Sequence, residues 1–590
     1  MRKKLIPIML GFLILAAFTG LQSQQNAEDA KFSKTVDTYL DAYWKFYPTA
    51  ATLAGYYKYN DKLEDFAESN IEKYLESLDK FNAELVNKIA KDKLSPEIQI
   101  DLDFLRDALD LDMLRLEKIV PQQLNPIYYN EIILQSIRGL LAKEFSALDL
   151  RLKSATERAK ALPGFLKQAK ENLKTPPKEY TEAAIKQFPA ILDFYKTEVP
   201  KLIEKGGADA RAKFQAEWAK LIPALEDYQR FLQADLLANS TGNFRLGEAH
   251  QRMLQLTTGG SVMLNELLDR AKTDTKNLRR EMFLVCMPYY KIMDPKFDIE
   301  NPPANLSQDQ NLLFNNVIPH VMNKIKSAQP AKEEWFNKIK AAADNVRAFI
   351  EKTTLLEMPQ ETLAIEPMPA LDRDSRLARL VTPNPYDPAG SYTVLVNPYP
   401  ESLPADQAQE FMDEYSNYLL PIWAIQRVYP GTFFPAAFAR KNATLIRRLY
   451  PNQALIRGWP LYAQDMFIYA GYNNYDLKQR LSELKLKLRA LIDFQLDVSV
   501  HEAGYTKEQA IRLMTITGFQ TPAEAERKWN TIVLNPAQVS YPYIGYQEIL
   551  DMEKDYKNLK KDAFSQKEFL QKLVSFGPLP LRILKTKIVQ

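Results

Sequence analysis

The side chains best suited to chemistry are few. Three histidines, His250, His320 and His501, and one cysteine, Cys286, stand in a chain of 590 residues. His250 lies in GEAHQRM and His320 between Pro319 and Val321, and neither has an acid or a second histidine three or four residues on. Both therefore read as ordinary core or surface histidines. His501 opens HEAGY, the first two letters of the zinc-helix pattern HExxH, but Tyr505 stands where the second imidazole would have to be. G-x-S-x-G, the phosphate loop G-x-x-x-x-G-K-[ST] and G-x-G-x-x-G are also absent. Cys286, in MFLVCMPYY, excludes an intramolecular disulfide and a thiolate metal cluster. Its apolar neighbours predict a buried, inert thiol. The acids Asp101, Asp103, Asp107, Asp110 and Asp112 lack the spacing and glycine of a calcium loop, so a solvated helix face is expected there.

The elements that must position such groups are helices. Glycine is scarce, 19 residues, and 46% of the chain is apolar against 26% charged, which suits a large globular, largely helical protein. The segment MRKKLIPIMLGFLILAAFTGLQS has a basic start, an apolar run from Leu5 to Phe18 too short to span a bilayer, and small or polar residues after it. It reads as a Sec signal peptide over 1–23. No cysteine lies near the expected cleavage at Ser23, so a periplasmic or secreted protein that is not a lipoprotein is expected, without stable membrane insertion. Removing Arg2, Lys3 and Lys4 leaves the remainder formally neutral, without the basic excess that nucleic-acid binding needs.

A helical lobe is expected over 24–357, with Ser95-Pro96-Glu97 opening one helix and further helices at about Ser146 to Lys174, Thr181 to Ile203, Asp209 to Leu237 and Ser261 to Arg280. Residues 358–404 are rich in proline and carry two strand-like runs, Glu361 to Ile365 and Tyr392 to Asn397, predicting a small edge sheet. Helices resume over 405–590. There Leu477, Leu481, Leu484, Leu488 and Leu491 form an apolar seam, and capping boxes start at Thr506 and Thr521.

Four blocks in the last third, LLPIWAIQRVYPGTFFP (419–435), RGWPLYAQD (457–465), LDVSVHEAGYTKEQAIRLM (496–514) and NPAQVSYPYIG (535–545), resemble in order and spacing the bacterial domain-of-unknown-function family 885. YWKFYPTAATLAGYYKYNDKLEDF and RAKALPGFLKQAKENLKTPP are similar to blocks of its N-terminal part, and YTVLVN to its strand before the active-site helix. The resemblance implies a zincin- or gluzincin-like, mainly α fold: two helical lobes around a cleft, with the small sheet inserted at about 360–400. It also implies a metal motif, HExxPGHH followed by Gln. Aligned on Tyr429-Pro430-Gly431, its first His falls on Gln426, its Glu on Arg427, its next two His on Thr432 and Phe433, and its Gln on Pro435. The family's EGWALYAE, whose first Glu is the implied third ligand, falls on RGWPLYAQ, so that Arg457 and Gln464 replace its acids.

Amides and a hydroxyl are poor zinc ligands, and guanidinium has no lone pair to give. The resemblance therefore implies a frame without metal, cofactor or peptidase activity: a pseudopeptidase that binds a peptide, a small acid or a protein partner. Two alternatives stay open, a metal-independent or residual hydrolase using His501 and Asp497, and a helical interaction protein with a vestigial cleft. The candidate pocket comprises Arg427, Tyr429, Arg457, Trp459, Tyr462, Asp497, His501, Gln538 and Tyr541. The helix ending near Tyr429, the RGWPLYAQ helix and the His501 segment are expected to converge on its floor. Arg427 and Arg457 are expected there as two buried cations, either stapled to Asp465, Asp493, Asp497 or Glu502 or open to an anion.

Overall fold

The computed structural model describes residues 27–259, 263–298, 310–326, 328–369, 373, 377–387, 390–398, 408–409, 412 and 415–589, and the leader expected at 1–23 lies outside the described residues. Mainly helical, the chain divides into two compact units, Met1–Asn243 and Phe244–Gln590. The lobe boundary expected near 357 falls inside the second unit. No described helix is long and apolar enough to cross a membrane.

In the first unit, helix α1 (Pro96–Leu114) starts with Pro96 in its first turn, as expected, although the Ser95 side chain caps nothing. Leu102, Leu105 and Leu109 form its buried stripe. The expected solvated acidic face is incorrect for two of its members: Asp101 and Asp112 are buried. Asp112 survives there because Tyr47 and Tyr74 donate their hydroxyls to it, at 2.9 and 2.7 Å. The two N-terminal sequence blocks meet at Arg158, which is fully buried. It donates to the carbonyls of Pro48, Lys62 and Ser136 at 2.8–3.1 Å and to the Thr52 hydroxyl at 2.7 Å, so five donors in a fixed fork tie a turn to two helices.

The second unit carries α2 (Glu248–Thr258) and α3 (Leu264–Met293). The stretch expected to stop at Arg280 runs on to Met293, with Pro288 inside it. Proline removes the donor for the Leu284 carbonyl, and Leu284 is exposed, so water can serve that carbonyl. A three-stranded sheet follows, β1 (Leu363–Pro367), β2 (Ala378–Val381) and β3 (Tyr392–Val396), in the order β1-β3-β2. Strand β3 pairs in parallel with β1, Leu363 opposite Tyr392, and antiparallel with β2, Ala378 opposite Val396. Its alternation buries Tyr392, Val394 and Val396, while Pro367 ends an edge strand where no ladder donor is needed.

Then come α4 (Leu419–Arg427), α5 (Phe433–Asn442), α6 (Gln453–Tyr469), α7 (Leu477–His501), α8 (Pro522–Leu534) and α9 (Tyr541–Lys560). Four of the seam leucines of α7, Leu481, Leu484, Leu488 and Leu491, are buried, and Leu477 at its first turn is exposed. Both capping boxes form, Thr506 with Gln509 and Thr521 with Glu524. Helices α6 and α9 cross by backbone contact. A Cβ added to Gly545 would stand 1.8 Å from the Ala454 carbonyl oxygen, and one on Gly458 would stand 2.3 Å from the Gly545 carbonyl carbon.

Candidate functional site

Helix α4 delivers Gln426 at its last turn, and the chain then reverses through a cis Tyr429-Pro430 bond and Gly431, where a Cβ would strike the Gln426 carbonyl oxygen at 2.1 Å. The Gln426 amide donates to the Gln464 side chain on α6, and Gln464 donates in turn to Glu483 on α7 at 3.1 Å. Gln464 and Glu483 are fully buried. Glu483 is met by Arg480 at 2.6 Å and by Lys487 at 3.5 Å. Lys487 also holds Asp465 at 2.8 Å, to which Tyr546 donates at 2.5 Å.

Burial pushes Glu483 up to about 8, and Asp465 beside it adds to this against the opposing pull of Lys487 and Arg480. Burial also opposes ionisation of Asp465, but Lys487 outweighs it and keeps that carboxyl below its usual range. The pair thus divides its roles: Asp465 is the anion facing the ammonium, and Glu483 is the group inclined to hold a proton.

Around this ladder, the Thr432 hydroxyl donates to the Arg427 carbonyl at 2.7 Å and Trp459 donates to the Pro430 carbonyl at 3.1 Å. Phe433 is buried edge-on to Tyr392 and Tyr429, and Tyr462 is buried and accepts from Gln566 at 3.0 Å. Arg427 and Arg457 are both exposed, which corrects the expectation of two buried cations. The four acids expected to staple them have other partners: Lys487 for Asp465, Lys528 for Asp493, and His250 for both Asp497 and Glu502. The surface end of a guanidinium stem costs little, whereas burying two would require dedicated carboxylates.

A second cluster lies at the far end of α7. Asp497 and His501 follow Glu483 by 14 and 18 residues, roughly 21 and 27 Å along the axis at 1.5 Å per residue. The nine candidate pocket residues are therefore divided. Tyr429, Trp459 and Tyr462 gather around the ladder with Arg427 and Arg457 exposed on the same two helices, while Asp497 and His501, with Gln538 and Tyr541 near them in sequence, belong to a different constellation. The expected convergence of the His501 segment with the stretches of α4 and α6 that carry Gln426 and Gln464 is not observed.

That constellation centres on His250 of α2, fully buried. Its Nδ1 lies 2.8 Å from Glu502 and its Nε2 3.1 Å from Asp497. The other carboxylate oxygen of Asp497 accepts from the Ala537 backbone N–H at 3.3 Å, and the Ser540 hydroxyl donates at 2.5 Å to the oxygen that His250 meets. Tyr541, next along, is buried, and Gln538 is exposed on the same turn. Burial disfavours charge on His250, but the hydrogen bonds to Asp497 and Glu502 outweigh it and raise its pKa to about 9, so at neutral pH both ring nitrogens donate. His501 stacks against it and is lowered, mainly by burial; its Nε2 lies 3.1 Å from the Ile532 carbonyl and its Nδ1 has no partner.

Nothing in the local sequence announces His250, because its acids are 247 and 252 residues away. Among the described residues no group of three or more His, Cys, Asp or Glu is arranged to hold a metal ion. The ladder offers amides committed to each other, a hydroxyl committed to a backbone carbonyl, and two carboxylates, Glu483 and Asp465, already held by Arg480 and Lys487, a donor set that does not fit Zn²⁺.

Fold and site together define a class that comparison makes explicit. The family described as "Bacterial protein of unknown function (DUF885)" matches residues 48–588, and the chain belongs to it. Two solved structures share the fold. A Shewanella oneidensis protein of unknown function, described as a lipoprotein, is 24% identical with a TM-score of 0.81 over 95% of this chain and 100% of that one. A Colwellia psychrerythraea protein, also described as a lipoprotein, is 15% identical with a TM-score of 0.73 over 94% and 98%. No curated protein matches the chain.

Proposed function

We propose that this chain acts outside the cytoplasm as a non-hydrolytic binding protein built on the family's frame, taking a peptide or small acid rather than cutting one. The observation that carries the reading is the ladder from Gln426 through Gln464 to Glu483. At Gln426, where the resemblance calls for a metal ligand, and at Gln464, where it calls for a glutamate, the side chains satisfy one another, and the charge of Glu483 behind them is balanced by Lys487 and Arg480. Exposed Arg427 and Arg457 add positive charge next to that frame and favour an anionic guest. Hydrolysis by His501 and Asp497 is disfavoured, since both are fully buried and Asp497 is already engaged by three donors.

The extracytoplasmic setting rests on the basic and apolar leader and on the descriptions of the two solved relatives. The sole cysteine, Cys286, lies deep in α3, so we propose export without an acylated cysteine. The test combines elemental analysis of the purified mature protein, hydrolysis of a mixed peptide library, and calorimetry with acidic peptides. Expected are substoichiometric zinc, no cleavage, and binding that Arg457→Ala weakens about tenfold. One zinc per chain with chelator-sensitive cleavage overturns the reading, as does the absence of any binding.

A further inference from the structure

Helix α3 turns to solvent a face that carries cations and apolar side chains but no acid. From Lys272 to Met293 the only acids are Asp274 and Glu281, and neither is exposed. Asp274 accepts from Tyr543 at 2.9 Å and from Gln547 at 3.0 Å on α9, and Glu281 accepts from Arg480 on α7 at 3.2 Å. Lys276, Arg280 and Lys291 are exposed and have no ion-pair partner among the described residues, while Lys272 holds Asp269 at 3.0 Å. Leu284 and Ile292 are 61% and 75% exposed, with Pro288 and Met293 exposed beside them. The next exposed acid, Asp294, follows the last turn.

A single exposed leucine is ordinary, but these residues are grouped. Arg280, Leu284, Pro288 and Lys291 follow one another at helical spacing and share one side of α3 over roughly 16 Å, with Ile292 one turn beyond Pro288. The neighbouring helix, Gln310–Lys326, extends the layer. It is fixed against α3 by the Phe283 and Phe314 rings, 5.1 Å apart, by Arg279 donating to Asn311 at 2.8 Å and Asn315 at 2.7 Å, and by Tyr290 donating to Asn316 at 3.0 Å. This helix contains no Asp or Glu, and Leu312 in its first turn is exposed.

We propose that this face of α3 docks on the surface of an anionic lipid bilayer, with Leu284, Pro288 and Ile292 entering the interface and Lys276, Arg280 and Lys291 meeting the headgroups. A bilayer presents negative charge and, directly beneath it, an apolar boundary, so it complements both halves of the face. An acidic protein surface answers the cations and not the aliphatic side chains. The long stems of Arg280 and Lys291 let their neighbours sink while the charges stay among the headgroups. The Leu284 carbonyl, left without a helical donor by Pro288, sets the depth: headgroup water still reaches it, whereas dry hydrocarbon would strand it. The chain thus lies on the bilayer without spanning it, and no described helix is long and apolar enough to do so. The face does not use Gln426, Arg427 or Arg457 and stands independently of the binding reading above.

Flotation of the full mature chain with vesicles of equal parts phosphatidylglycerol and phosphatidylcholine, and with phosphatidylcholine vesicles, tests the assignment. The anionic vesicles should bind the protein, neutral ones at least about tenfold more weakly, and added salt should weaken the binding. Arg280→Gln with Lys291→Gln should weaken it about 25-fold, about fivefold for each charge, and Leu284→Ser with Ile292→Ser about tenfold. Circular dichroism and the melting temperature should stay as in the wild type, because all four side chains are exposed. An environment-sensitive fluorophore attached at Leu284→Cys should shift to shorter wavelength on the anionic vesicles, and one at Leu150→Cys, as exposed but in the first unit, should not, buried Cys286 staying unlabelled. No binding to anionic vesicles, equal binding to neutral ones, or undiminished binding in either double variant overturns the proposal. Capture by polyglutamate without vesicle binding also overturns it, in favour of an acidic protein partner. Arg457→Ala should float with vesicles as the wild type does, so loss of its acidic peptides bears on the binding reading alone.

Discussion

The imidazole rings of His250 and His501 stack with centroids 4.9 Å apart and planes within 19°, yet the two carry opposite tendencies: the first is driven to hold its proton and the second to lose it. The difference lies in their partners. His250 is clamped between Asp497 and Glu502, whereas His501 meets a backbone carbonyl and the charge of His250 itself. A second imidazolium stacked on the first would add repulsion to the cost of burial.

This arrangement makes the fold sensitive to alkali. Because the His250 pKa rises from 6.5 to about 9 on folding, its stabilisation is complete below about pH 6.5 and is lost as pH rises through about 9. It amounts to something on the order of 3 kcal/mol. The melting temperature of the wild type should therefore fall between pH 7 and 10, and that of His250→Gln should start lower and change less. Parallel pH profiles would contradict this assignment.

The two buried acids of the ladder should respond unequally to amide substitution. Asp465→Asn leaves the Lys487 ammonium without its nearest anion and should cost about 3 to 5 kcal/mol. Glu483→Gln keeps an oxygen for Gln464 and removes a group that burial already disfavours in its charged form, so it should cost less than about 2 kcal/mol. Urea unfolding of the two variants gives the comparison.

At the crossing of α6 and α9, Gly545→Ala should cost about 3 kcal/mol or more, because its Cβ would meet the Ala454 carbonyl rather than a movable side chain. Gly164→Ala, with nothing within 4 Å, is the control and should be neutral or slightly stabilising. Thermal melts of the two read the difference directly.

Cys286 is buried, and burial pushes its thiol up to about 12. A disulfide reagent at pH 8 should react with it only as fast as the protein unfolds, and at once in denaturant. Rapid labelling of the native protein would mean that this part of α3 opens far more readily than its packing implies.

Helix existence and caps were legible in the sequence because they depend on neighbours: Thr506 with Gln509, Thr521 with Glu524, and the leucine seam of α7 all formed as read. Strand β3 was visible in YTVLVN, but β2 was not, since ARLV is too short to show an alternation. Asp112 looks solvated in the sequence because its hydrogen-bond donors, Tyr47 and Tyr74, stand 65 and 38 residues away. His250 is inconspicuous in the sequence for the same reason. Arg427 and Arg457 were placed on their elements correctly, yet helix periodicity alone did not show that their side chains stay at the surface. What a residue touches across the fold has no periodicity to betray it.

The backbone contact of Gly458 with Gly545 has a mechanical consequence. Two helices that meet only through side chains can slide by repacking rotamers, but at this crossing backbone meets backbone and there is no side chain to repack. Gln464 lies six residues from Gly458, and Ser540, the donor to Asp497, lies five from Gly545. The crossing is thus a fixed point between the amide ladder on α6 and the Asp497 donor before α9, its closeness set by two positions where no side chain fits.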